Sequence, residues 1–148
     1  MRQKTFRKGI YIAILFAVAC GQNKMKTPTY AMKQFEDFRS REKFVEGNPA
    51  YYLGLSDESL RPILNAKINQ VANDFQNVAS GENPLASDYH EKIRIGLQRF
   101  SDSYLKLDTE DRERVCEYFE ELMDIVNLES SDGQLNNFMY GFDPNEND

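Results

Sequence analysis

One histidine, two cysteines and no tryptophan occur among the 148 residues. A single imidazole excludes a di-iron bundle, which takes Glu-x-x-His from each of two helices. It also leaves too few soft ligands for the Cys/His spacing of a structural zinc site. G-x-S-x-G, H-E-x-x-H and a phosphate-cradling glycine loop are all missing, so no motif points to catalysis or to a cofactor. Internal repeats and low-complexity tracts are absent too. Long apolar runs are lacking: the longest, Ile10 to Ala19, has ten residues, and a membrane-crossing helix needs roughly 20.

That short run has a specific context. Arg2, Lys4, Arg7 and Lys8 precede it, and the small residue Ala19 ends it beside Cys20. A basic start, a short apolar middle and a small residue before the break describe a secretory signal peptide over residues 1–19. Ala17-Val18-Ala19-Cys20 resembles a bacterial lipobox, although the common form has Leu at the place of Ala17. The resemblance implies a diacylglyceryl thioether on Cys20, cleavage before it and acylation of the new amino group. Several chains anchor stably where one does not. Gly21 replaces the Asp that marks inner-membrane retention in that pattern. The implied address is therefore the bacterial cell envelope, at the outer membrane facing the periplasm. Residues 20–28 read as the lipidated cysteine and a polar tether.

Loss of residues 1–19 removes four cations and no carboxylate. It leaves 14 Lys and Arg against 24 Asp and Glu, a formal charge of −10. Such a chain repels nucleic acid, which is not expected as a partner. With Cys20 lipidated, Cys116 has no mate and no disulfide framework exists.

The remaining pattern is helical throughout. A first helix is expected over about Thr27 to Val45, with Ala31, Phe35, Phe38 and Val45 inward and Gly47-Asn48-Pro49 as its stop. SDES, residues 56–59, reads as a cap for a second helix from about Leu60 to Ala79. Pro62 lies in its first turn, where the missing amide hydrogen costs little. Leu64, Ile68, Val71 and Phe75 form its stripe. A third helix starts near Asp88, with Asp88 and Glu91 spaced as a capping box, and runs through Leu97, Phe100 and Tyr104. A cap at Leu107-Asp108-Thr109 opens a fourth helix, from about Glu110 to Leu128, as an antiparallel hairpin with the third. A short fifth helix carries Leu135, Phe138 and Met139. The expected fold is all-α, a bundle of four amphipathic helices plus a short C-terminal helix over 29–142, with an acidic tail over 143–148.

YYLGLSDESLRPILNAKIN, from Tyr51, and RFSDSYLKLDTEDRERVCEYFEELMDIVNLESSDGQLNNFMYGFDP, from Arg99, resemble an uncharacterised bacterial family (domain of unknown function 4844). The likeness covers about residues 40–143. It implies a helical fold, often behind an export signal, and assigns no catalytic residue.

Three surfaces stand out. Glu110, Glu113, Glu117, Glu120 and Asp124 recur at three- and four-residue steps on one face of the fourth helix, where like charges disfavour the helix by a few tenths of a kcal/mol per pair. Arg114, four residues after Glu110, relieves some of this. The face suits a cationic protein partner or a weak divalent-cation site; the plainer reading is a solvated acidic face. Asn65, Asn69, Asn73 and Asn77 repeat every four residues on the second helix against their mediocre helix propensity. They suit a peptide or glycan contact, or form an uncharged margin. Tyr51 and Tyr52 either anchor a partner or plug the end of the bundle. Cys116 and His90 fall at opposite ends of an antiparallel hairpin, which argues against a dyad. Cys116 reads as core.

The expected function is a lipid-anchored envelope protein acting as a protein-binding module rather than as an enzyme. Its candidate contacts are Glu113, Glu117, Glu120, Asp124, Asn69, Asn73 and Tyr51. One sharp form is an immunity protein that meets a basic toxin in the periplasm. A carboxylate-dependent envelope hydrolase and a structural lipoprotein without a dedicated ligand are the alternatives.

Overall fold

The computed structural model describes residues 24–47 and 52–141. Residues 1–19, where a signal peptide is expected, Cys20, Tyr51 and the tail expected over 143–148 lie outside the described residues. Among the described residues there are five α-helices: α1 (Ala31–Ser40), α2 (Arg61–Ala79), α3 (Ala86–Gln98), α4 (Thr109–Val126) and α5 (Gln134–Tyr140). Single 3₁₀ turns precede α2 at Glu58–Leu60 and α4 at Tyr104–Lys106. Among the described residues the extended pairing is one isolated antiparallel bridge, Lys24 with Leu85.

α2 is central. Its stripe of Leu64, Ile68, Val71, Ala72 and Phe75 is fully buried, and α1, α3 and α4 all pack against it. α1 antiparallels it: Met32 meets Gln76 and Ser80 near the end of α2, whereas Arg39 meets Asn69 further back. α3 also returns along α2, and Arg99 beyond its end pairs with Asp74 at 2.6 Å. α4 begins beside the start of α2, where Asp111 binds Tyr52 and Ser56. The core is shared by Phe35 and Phe38 of α1, Tyr89 and Ile93 of α3, and Val115, Phe119 and Leu122 of α4.

Gly96 sets how closely α3 approaches. A Cβ there would stand 2.8 Å from Val71 Cγ2 and 2.9 Å from the Phe119 ring, so α3 reaches α2 and α4 at this point only because the side chain is missing. α3 and α4 are not packed along their length as a hairpin; α5 lies between them, contacting both.

Two helices differ from the sequence expectation. α1 ends at Ser40, not near Val45. The ammonium of Lys43 folds back and donates to the carbonyls of Phe38 (2.7 Å) and Arg41 (2.9 Å), capping the helix from outside. Phe44 then takes a left-handed backbone, φ 61°, and is buried in the place expected of Val45. α3 starts at Ala86, earlier than expected, because Asp88 accepts from the Leu85 amide at 3.0 Å, so the box sits one turn earlier than the Asp88–Glu91 spacing suggests. It ends at Gln98. Beyond Gly96 the backbone tightens into i→i+3 bonds at Arg99, Phe100 and Ser101. Phe100 turns into the core, and Lys67 of α2 holds Asp102.

Candidate functional site

α4 presents the acidic face. Asp108 caps it, accepting from the Asp111 amide at 2.9 Å. Its opposite side buries Val115, Phe119, Leu122 and Val126. That leaves Glu113, Glu120 and Asp124 exposed and Glu117 half-buried. Arg114 does not pair outward with Glu110. It is buried, with its guanidinium 4.6 Å over the Tyr52 ring, and Nη1 donates to Glu117 at 2.8 Å. One carboxylate of the face is thus partly neutralised and the others stay unopposed on α4.

The face continues into a cleft of about 880 Å³ formed by the second half of α4, residues 128–133 and the start of α5. Glu120, Asp124, Glu129 and Asp132 line it, and no Lys or Arg does. The surrounding chain desolvates Glu120, and with Glu117 and Asp124 nearby its carboxyl titrates above the usual carboxylate range. Among the described residues no three His, Cys, Asp or Glu side chains converge to hold a metal ion. The loop wall is positioned from α3: His90 Nε2 lies 2.9 Å from the Ser130 carbonyl, and Gln134 Nε2 donates to the His90 carbonyl at 3.1 Å.

The other expected contacts are not brought to this cleft. Asn69 is turned to α1, where its amide donates to the Arg39 carbonyl at 3.4 Å. Asn65 accepts from the Lys43 amide at 3.1 Å. These two secure the end of α1 and are not a docking stripe, whereas Asn73 and Asn77 are exposed. Tyr52, beside Tyr51, is buried and donates to Asp111 at 3.0 Å, pinning the loop before α2 to the first turn of α4. Cys116 is a buried core residue whose Sγ lies 3.7 Å from the Leu135 carbonyl. Burial, with Glu120, Glu113 and Glu117 adding to it, pushes its thiol up to about 12.

Three buried charges went unforeseen: Lys43, Asp111 and Arg114. Asp111 carries a sequence signal, since it lies four residues before Val115 on the apolar stripe. Lys43 carries none.

The chain belongs to the family described as Domain of unknown function (DUF4844), whose model matches residues 26–143. It is similar to a solved structure, a DUF3571 family protein from Acinetobacter baumannii AYE. The two are 34% identical with a TM-score of 0.68, over 75% of this chain and 89% of that one. A search of the curated proteins found no match. No helix among the described residues is long and apolar enough to cross a membrane.

Proposed function

We propose that this chain is a lipid-anchored protein of the bacterial envelope whose domain binds a basic protein partner through the acidic side of α4. The observation that carries the reading is the cleft: four carboxylates line it with no cation among them. A cationic segment entering it would trade unfavourable acid–acid proximity for charge-assisted hydrogen bonds. The lipobox-like Ala17 to Cys20 supports the anchor, and an immunity protein against a basic periplasmic toxin is the sharp form of this reading.

The test is capture from envelope extract by the wild-type domain and by Glu113→Lys/Glu117→Lys/Glu120→Lys. A specific partner held by the first and released by the second supports the reading. Equal capture by both removes the acidic face from it.

The grouping of Glu120 and Asp124 with Glu129 and Asp132 in one cleft favours one other activity, a carboxylate-dependent hydrolase acting on envelope glycans or peptides. Turnover by the purified domain that is lost in Glu120→Gln would put that reading first.

A further inference from the structure

The geometry points to a membrane-facing surface on the domain, made by the stretch from Lys24 to Thr27, the loop over 80–85 and the first two turns of α3. The occupant is the lipid headgroup layer that carries the Cys20 anchor. The inference rests on the lipid-anchor reading and adds an orientation to it.

An eight-residue tether over 21–28, between Cys20 and the domain, would allow any orientation. The structure shortens it. Lys24 forms the bridge to Leu85, and the Met25 amide donates to the Pro84 carbonyl at 2.9 Å. The Thr27 hydroxyl donates to the Ala79 carbonyl at 2.9 Å, and Met25 packs on the core. The body of the domain therefore begins at Lys24, four residues after Cys20. Four extended residues span at most about 14 Å. The end of α2 and the start of α3 are thus held against the headgroups, because α2 alone is about 28 Å long.

Charge agrees with this placement. Residues 24–27 and 80–93 together hold three cations, Lys24, Lys26 and Lys92, against three carboxylates, Glu82, Asp88 and Glu91, a balance of zero. The segment from Cys20 onward stands at −10, so this near-neutral surface is repelled less by an anionic lipid layer than the chain as a whole. At the opposite end, beside the start of α2 and the turn before α4, Leu53 and Leu105 are 78% and 93% exposed. That end points away from the bilayer.

The experiment uses the full chain, processed in a bacterial host and reconstituted into phosphatidylethanolamine vesicles with a minority of phosphatidylglycerol. An environment-sensitive fluorophore is placed at Asn83→Cys or at Leu105→Cys, and a headgroup-nitroxide lipid is the quencher; buried Cys116 stays unlabelled, which intact mass verifies. Several-fold stronger quenching at position 83 is expected. A flexible insertion between Asn23 and Lys24 is expected to abolish the contrast. Equal quenching at both positions in acylated protein overturns the orientation and leaves the anchor standing. Absence of acyl mass on Cys20, with no flotation on vesicles, overturns the anchor itself.

Discussion

The phenol of Tyr52 donates a 3.0 Å hydrogen bond to Oδ1 of Asp111, 59 residues along the chain. Ser56 donates to the other oxygen at 2.7 Å, so a buried carboxylate fixes the loop before α2 onto the first turn of α4. Hydrogen bonds to a charged group are worth about 1.5–3 kcal/mol each, and an orphaned buried partner costs more. Asp111→Ala is expected to lower the unfolding free energy by about 2–4 kcal/mol and Tyr52→Phe by about 1–2 kcal/mol. The double variant should lose less than the sum, because the two residues share one interaction. Urea denaturation of the four proteins checks this, and strict additivity would show that the bond contributes nothing.

Gly96 makes a second prediction with an unusual sign. Gly→Ala inside a helix ordinarily stabilises by about 1 kcal/mol. Here the added methyl meets Val71 and Phe119 at under 3 Å, and overpacking costs about 1–3 kcal/mol. Gly96→Ala should therefore destabilise. A raised melting temperature would mean that α3 can move aside.

Lys43 predicts a pH dependence. Its ammonium is buried over the Phe38 ring at 4.4 Å, and burial, reinforced by Arg41, lowers its pKa to about 8. The unfolded chain, with a value near 10.5, binds more protons between these limits, so this group's contribution to stability rises with pH across that window. Below about 8 both states are charged and the contribution is flat at its least favourable value. Wild type should gain on Lys43→Met in melting temperature from pH 8 to pH 10.5. A constant difference across that range refutes the burial of the ammonium.

Cys116 predicts a kinetic result. A thiol held near 12 inside the core offers almost no thiolate at neutral pH. Iodoacetamide should leave the native domain unmodified for hours and label it quickly in urea. Rapid native labelling would place the thiol at the surface.

Much of this was legible in the pattern. Leu64, Ile68, Val71 and Phe75 fall on one stripe with β-branched and aromatic bulk, and they form the centre of the core. Asp108 sits ahead of an apolar run and caps α4. The failures come from tertiary contacts that no periodicity records. α1 stops where a lysine outside the helix takes over its last carbonyls. α3 stops because Phe100 is worth more in the core than on a continuing helix. Asn69 looked like part of a surface repeat because its partner, Arg39, belongs to another helix. The acidic row on α4 was visible as spacing, but the cleft beside it is closed by residues 128–133, whose position depends on His90 and Gln134.

α5 has seven residues, yet it fills the gap between α3 and α4 that Gly96 alone does not close. The keystone of the arch is thus the last of the five described helices to be made. A chain growing from its amino end holds four helices without their wedge until α5 has emerged, so the packing between α3 and α4 is completed only then. Shortening it before Gln134 should yield not a smaller version of the same architecture but an unfinished one.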